Sequence, residues 1–118
     1  MGNRVVAERL RQAGVDVRIH DDHFPQDARD DEWLPFAGQQ GWLVVTKDKR
    51  IRQRETERNA LLDGGVGAFV ITKGDMTGPE MGEALVRALP SMERLVGRQA
   101  RPFIATVSQS GRVKLLPP

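Results

Sequence analysis

Two short apolar runs, WLVVT at residues 42–46 and VGAFVIT at 66–72, constrain the fold of this chain more than any other feature. Both runs are continuous rather than alternating, a pattern typical of strands that are buried on both faces of a parallel sheet. Between them lies KDKRIRQRETERNALLDGG, which we expect to form a long basic helix that ends at its two glycines. A strand, a helix and a second strand in this order predict a right-handed βαβ unit.

Helices and strands also alternate before this unit. The predicted elements are a helix at 3–13, a strand at 15–20, a loop at 21–29 and a helix from Asp30 or Asp31 to Gly41. The strand prediction rests on VDVRIH, which alternates and is rich in β-branched residues. The second helix is predicted to start at an aspartate because aspartates are favourable N-caps and their charge suits a helix N-terminus.

The segment after the unit predicts one more helix and a β-hairpin. Apolar residues at helical spacing place the helix at 79–96, and Thr77 with Glu80 is expected to form a capping box at its start. PFIATVSQSGRVKLL at 102–116 predicts the hairpin, with its turn near Ser110 and Gly111. The whole chain, residues 1–118, is therefore expected to be one α/β domain with a mostly parallel sheet and a C-terminal hairpin.

Composition excludes several classes of protein. A chain of 118 residues with 39% hydrophobic and 29% charged residues has the size and composition of one globular domain. It contains no cysteine, which excludes disulfides and thiolate metal sites. No apolar run approaches the roughly 20 residues that span a membrane, and the N-terminal MGNRVVAERLRQAG lacks the apolar core of an export signal. We expect a cytoplasmic protein without a membrane partner.

Charge is unevenly distributed although the formal net charge is only +2. The stretch HDDHFPQDARDDEW, residues 20–33, contains both histidines and six of the sixteen acidic residues, and the segment 47–58 is strongly basic. In open α/β sheets, ligands bind beyond the carboxyl ends of the strands. HDDH, TKDKR and TKGDMTGPE each follow a predicted strand, so their carboxylates are expected to lie at one edge of the sheet.

Carboxylates that converge from different loops raise each other's pKa unless a cation removes the repulsion. Ligands that are all oxygen favour Mg²⁺ or Mn²⁺, which can activate water against a phosphodiester, while a basic helix would contact phosphates. This pattern is a hypothesis for a nuclease, and the alternative is a solvated charged surface. Asp48, which opens a helix, has the alternative role of an N-cap, and His20 with His23 could instead bind a transition metal.

The run DDEWLPFAGQQGWLVVTKDKRI resembles the signature of the PIN-like domain family found in VapC-type toxins. An acid-led helix, a glycine next to a tryptophan or arginine, a buried strand and T-x-D occur in this order in that family. HDDHFP before this run and TGPEM after the third strand strengthen the resemblance, which extends over about residues 2–116. It implies an α/β/α sandwich and a metal-dependent ribonuclease that hydrolyses RNA, commonly the toxin of a toxin–antitoxin pair.

The resemblance implies a set of site residues. Asp48 corresponds to the acid of T-x-D, and Asp30 or Asp31 to the acid at the start of the second helix. These three are the expected catalytic residues and, with Asp22, the expected ligands of Mg²⁺ or Mn²⁺. Asp75 is a further, minor candidate. The expected nucleic-acid contacts are Lys47, Lys49, Arg50, Arg52 and Arg54. The expected partners are RNA and a small antitoxin protein.

One departure from the family concerns the N-terminus. PIN-like domains begin with a central strand that ends in an aspartate, whereas this sequence starts at MGNRVVAERL, already at the first helix. A start codon assigned too late, a shortened chain and a degenerate copy are equally open explanations. We expect a domain that is truncated relative to the family, with a rearranged sheet or a homo-oligomer as consequences. The rivals to a nuclease are a non-catalytic interaction protein of the same fold and a nucleic-acid-binding module without metal chemistry.

Overall fold

The fold is seen in a computed structural model that describes residues 3–16, 30–47, 55–72 and 75–116. The described elements are α1 Asn3–Gln12, α2 Asp30–Gln39, β1 Leu43–Thr46, α3 Glu55–Asp63, β2 Gly67–Ile71, α4 Gly78–Arg98, β3 Phe103–Val107 and β4 Val113–Leu115. Each described helix and strand lies where the sequence predicts one. In the described part of the chain, no helix is long and apolar enough to cross a membrane.

The four described strands form one sheet in the order β1-β2-β3-β4. β1 pairs with β2 and β2 pairs with β3 in parallel, so that Val45, Phe69 and Ala105 lie side by side. β4 returns antiparallel to β3, with Ala105 opposite Leu115. Gly111, at φ 87°, supplies the left-handed conformation that the connecting turn requires. The predicted mostly parallel sheet and its C-terminal hairpin are confirmed.

Helices cover both faces of this sheet. On one face, Phe69, Phe103 and Val107 pack with α4 and with Leu10 of α1 in a first core. On the other face, Val70 and Ile104 pack with Leu34 of α2 and Leu61 of α3 in a second core. Successive residues of a strand point to opposite faces, so β2 and β3 contribute to both cores. This arrangement is the predicted α/β/α sandwich.

The sequence prediction for β1 is partly wrong. WLVVT was expected to be buried on both faces, yet Leu43 and Val45 are 37% and 40% exposed, whereas Val44 is 8% exposed. Val44 belongs to the second core. Leu43 and Val45 lie on the opposite face, where α1 and α4 pack mainly over β2 and β3. An apolar run therefore indicated a strand correctly but overstated how much of it the helices cover.

Other predictions fall partly or wholly on residues that the structure does not describe. Of the strand expected at 15–20, Val15 and Asp16 are described and are not in a strand, while 17–20 lie outside the described residues. The loop expected at 21–29 also lies outside them. The basic helix is described from Glu55 onward, as α3, and Lys47 is described but is not helical.

α2 and α3 approach closely at two glycines. A methyl group at Gly38 would overlap the carbonyl oxygen of Gly64, and one at Gly64 would lie 3.3 Å from the carbonyl oxygen of Leu34. Leu34 and Leu61 on either side of this contact are fully buried. The backbones can meet because Gly38 has no side chain, and Gly64 also leaves little room for one, so this contact determines the spacing of the two helices over the second core.

We predict that Gly38→Ala lowers the free energy of unfolding by about 1–3 kcal/mol, the usual cost of overpacking. Gly97→Ala is the matched control, because Gly97 also lies in a helix but a methyl group there has no neighbour within 4 Å. Alanine is favoured over glycine by up to about 1 kcal/mol in a helix, so the control should gain stability. Urea unfolding of both variants measures the difference, and equal changes in the two would contradict the close approach.

α1 packs against α4 through small residues and one ion pair. A methyl group at Gly82 would lie 3.1 Å from the Cβ atom of Arg9, which shows how near the two helices are. Beside this contact, Nε of Arg9 donates to Oε1 of Glu83 at 2.6 Å. The hydrogen bond from Arg9 and its positive charge lower the pKa of Glu83 from its ordinary value of 4.5. A lowered pKa means that the folded state favours the ionised carboxylate.

The stability that Glu83 contributes should be present above its ordinary pKa of 4.5 and lost as the pH falls through its lowered value. We therefore predict that Glu83→Gln lowers the melting temperature at about pH 7 and that this difference shrinks progressively as the pH falls below 4.5. Glu93→Gln, which makes the same substitution at an exposed residue of the same helix, serves as the control. A difference between wild type and Glu83→Gln that stays constant across this pH range would contradict the ion pair.

Candidate active site

The carboxyl ends of three parallel strands form one edge of the sheet. β1 ends at Thr46, β2 at Ile71 and β3 at Val107, and Ile71 pairs directly with Val107. The backbone N–H of Thr72 donates to the carbonyl oxygen of Val107 at 3.1 Å, and its hydroxyl donates to the same oxygen at 3.4 Å. These bonds extend the pairing by one residue, so the connections after β2 and β3 leave the sheet together.

α2 also begins at this edge. The helix ends at Gln39, and the chain reaches β1 at Leu43 after a tight turn in which the N–H of Trp42 donates to the carbonyl oxygen of Ala37 at 2.9 Å. Gly41, at φ 72°, allows the turn. A connection this short makes α2 run against the direction of β1. Its first residues, Asp30 and Asp31, therefore lie toward the end where β1 finishes.

A third acid-bearing connection joins β2 to α4. Asp75 is exposed in this connection. The hydroxyl of Thr77 accepts from the N–H of Glu80 at 3.2 Å, and the N–H of Thr77 donates to the Glu80 carboxylate at 3.1 Å. The predicted capping box is confirmed. Since its carboxylate caps the helix, Glu80 is explained without a catalytic role, and Asp75 remains the candidate from this connection.

The structure describes the predicted site residues unevenly. Asp30 and Asp31 are the first two residues of α2, as predicted, and the structure describes their backbone. Lys47 is exposed directly after β1. The remaining candidates lie outside the described residues: Asp22, Asp48, Lys49, Arg50, Arg52 and Arg54. Within the described ranges, no three acidic or histidine side chains come close enough to hold a metal ion. The metal-ligand assignment therefore stays a prediction.

The topology nevertheless brings the ends of β1 and β2 to one edge of the sheet. In the sequence, Asp48 follows Thr46, the last residue of β1, by two residues. Adjacent strands are about 4.8 Å apart, which places the ends of β1 and β2 within the reach of two side chains. The N-terminus of α2 carries a partial positive charge that repels a cation. A cation at this edge would therefore depend on several carboxylates, the donors that Mg²⁺ and Mn²⁺ prefer.

Sequence reasoning missed one part of this edge. The hairpin was expected, but not the parallel pairing of its first strand with β2, which brings Ser108 and the turn after it to the same edge as Thr46 and Thr72. The signal was present in FIATV, 103–107, which is apolar except for Thr106. All five of its residues are buried, as expected for an interior strand.

Comparison with known proteins agrees with this architecture. The family described as "PIN like domain" matches residues 1–73, which is more than half of the chain and extends from α1 through β2. The chain belongs to the PIN-like domain family. The family resemblance in the acidic, tryptophan-containing run is thereby confirmed.

One relative extends the comparison to nearly the whole chain. This PIN-like domain is 28% identical over 120 residues to a protein of Mycobacterium tuberculosis named "Putative ribonuclease VapC45". The alignment covers 98% of this chain and 86% of the relative. It therefore includes α4 and the hairpin, which lie beyond the residues matched by the family. No solved structure gives a significant match.

Proposed function

We propose that this PIN-like domain is a metal-dependent endoribonuclease and the toxin of a toxin–antitoxin pair. The observation that carries the proposal is the topology of the carboxyl edge, where α2 begins and where the connections after β1 and β2 depart. Each of these places bears at least one aspartate: Asp30 and Asp31, Asp48, and Asp75. Membership in the PIN-like family and a relative named as a ribonuclease support the same reaction.

Mg²⁺ or Mn²⁺ would be held by Asp48 with Asp30 or Asp31, and Asp22 would add a further carboxylate. When bound, such a cation lowers the pKa of a water molecule and stabilises negative charge on a phosphodiester. The protein's own task is to bring carboxylates of like charge together before the cation arrives. It does so by attaching them to α2 and β1, whose positions are determined by the second core.

Basic residues next to these carboxylates would position the RNA backbone. Lys47 is exposed at the end of β1, and the sequence continues with Lys49, Arg50, Arg52 and Arg54. Contacts of this kind hold phosphates without reading the base sequence. The proposed setting is the cytoplasm, where RNA and a small antitoxin protein would be the partners.

RNA cleavage should respond differently to the loss of two aspartates that are expected at opposite edges of the sheet. Asp48→Asn should lower Mg²⁺-dependent cleavage of a labelled RNA at least about 100-fold, because stabilisation by a metal is worth several kcal/mol and 1.36 kcal/mol corresponds to a factor of ten. Asp63→Asn makes the same chemical change at the end of α3, next to the start of β2, where the residue is exposed. This control should cut RNA at the wild-type rate.

Equal activity in Asp48→Asn and wild type would reject Asp48 as a catalytic residue. A wild-type chain that cuts neither single-stranded nor structured RNA, with Mg²⁺ or with Mn²⁺, would favour the rival of a non-catalytic interaction protein. EDTA should abolish any cleavage that belongs to this site, which separates it from a contaminating metal-independent ribonuclease.

Metal binding provides a test that does not depend on turnover. Calorimetric titration with Mn²⁺ should show a weak, saturable site in the wild-type protein that is lost in Asp48→Ala and kept in Asp63→Ala. The affinity should fall as carboxylates become protonated at acidic pH, because a metal ligand must be deprotonated. Mn²⁺ binding that is unchanged in Asp48→Ala would show that the cation is held elsewhere.

A further inference from the structure

Three exposed arginines form a stripe along α4. Arg87, Arg94 and Arg98 are separated by seven and four residues, the spacings that return to the same side of a helix. At 1.5 Å per residue the stripe is about 16 Å long. Glu93, an exposed acid of this part of α4, lies about 100° around the helix from Arg94.

In the described part of the chain, Arg87, Arg94 and Arg98 form no ion pair with an acid, although the charge of Arg87 contributes to the lowered pKa of Glu83. Arg94 donates to the hydroxyl of Ser91 at 3.0 Å, and Arg87 donates to the carbonyl oxygen of Gln109 at 3.1 Å. Glu83, one turn before Arg87, is already paired with Arg9. The side-chain hydrogen bonds of Arg87 and Arg94 are thus with neutral oxygens, which leaves most of their positive charge available to an anionic partner.

The turn of the hairpin extends this surface with hydroxyl groups. Gly111 lies so near α4 that a methyl group there would be 2.9 Å from the Cβ atom of Arg87. In the same turn, the hydroxyls of Ser108 and Ser110 lie 2.9 Å apart, and Ser108 accepts from the N–H of Arg112 at 3.0 Å. Arg87 and the turn line an open groove of about 560 Å³. We call the three arginines of α4 together with Arg112 and the two serines the basic strip.

The basic strip begins beside the candidate active site. Ser108 directly follows β3, whose carboxyl end lies at the same edge of the sheet as the end of β1. Two strand spacings separate β1 from β3, or about 10 Å. From the turn, the strip continues along α4 as the helix runs away from this edge. It therefore leads outward from the place where the phosphodiester would be cut.

We propose that the basic strip is a second RNA-binding surface that holds backbone phosphates on one side of the scissile bond. This inference rests on the proposed ribonuclease function and assigns its substrate a path across the protein. Guanidinium and hydroxyl groups are typical donors to phosphate oxygens. A protein partner is less well matched, because none of the exposed large hydrophobic residues lies on α4, where it could add an apolar anchor to the arginines.

The test removes three charges in each of two variants. The strip variant is Arg87→Gln, Arg94→Gln and Arg98→Gln. The control variant is Arg11→Gln, Arg101→Gln and Lys114→Gln, which loses the same net charge from exposed positions outside the strip. Arg101 precedes β3 at the opposite edge of the sheet, and Lys114 pairs with Thr106 on the face away from α4. Matching melting temperatures and circular dichroism spectra establish that both variants are folded.

Binding of a fluorescent single-stranded RNA is measured by anisotropy without divalent cation, over a range of salt concentrations. Each phosphate contact to a single strand contributes about 0.7 to the slope of log K against log salt, so the strip variant should lose about 2 from that slope and bind at least about tenfold more weakly. The control variant should keep most of the wild-type slope. If both variants lose the same slope and the same affinity, the effect comes from net charge alone and the proposal is overturned.

Competition distinguishes RNA from an acidic protein. An unlabelled oligoglutamate peptide with as many charges as the RNA should displace it poorly from the wild-type protein, and displacement as efficient as by unlabelled RNA would overturn the assignment of RNA as occupant. Binding and cleavage can also fail separately. RNA binding through the strip without any Mg²⁺-dependent cleavage would remove the proposed function but keep this surface. If the strip variant binds and cleaves RNA as the wild-type protein does, the proposed function stands and the assignment of this surface is overturned.

Discussion

The pairing of β2 with strands on both sides is the constraint on which the rest of the structure depends. Every residue of β2 is buried, with Phe69 and Ile71 in the first core and Ala68 and Val70 in the second. Phe69 meets Phe103 of the neighbouring strand edge to face, with ring centres 5.5 Å apart. Gly67 makes room for this pair, since a methyl group there would lie 2.6 Å from the ring of Phe103. β2 and its neighbour β3 therefore join the two helical layers.

Much of this architecture could be predicted because its signals are local. Continuous apolar runs identified β1 and β2, Thr77 and Glu80 identified the start of α4, and Gly111 identified the hairpin turn. The exposure of Val45 could not be predicted, because it depends on where α1 and α4 lie on the sheet. A strand's own residues show that it can be buried, whereas the covering of each face is a property of the whole fold.

Only part of the candidate site could be predicted from the sequence. Sequence places Asp30 and Asp31 at a helix start and Asp48 just after a strand, and the topology brings the start of α2 and the end of β1 to one edge of the sheet. It does not give the orientation of a carboxylate, on which metal binding depends. The arginines of α4 were not predicted to belong to a site. Their spacing is visible in the sequence, but their relation to the hairpin turn requires Gly111 and Arg87 to be seen together.

The contact between Gly38 and Gly64 has a consequence at the other end of α2. Gly38 is eight residues from Asp30, so the segment of α2 between them is about 12 Å long. At one end of this segment, the backbones of Gly38 and Gly64 touch. At its other end lie the acids that are proposed to hold the cation. A small rotation of α2 about the glycine contact would displace these acids by about the rotation angle times the length of the segment. Catalysis tolerates misplacements of less than about 1 Å, so the precision of a charged site would depend on two residues without side chains that lie about 12 Å away from it.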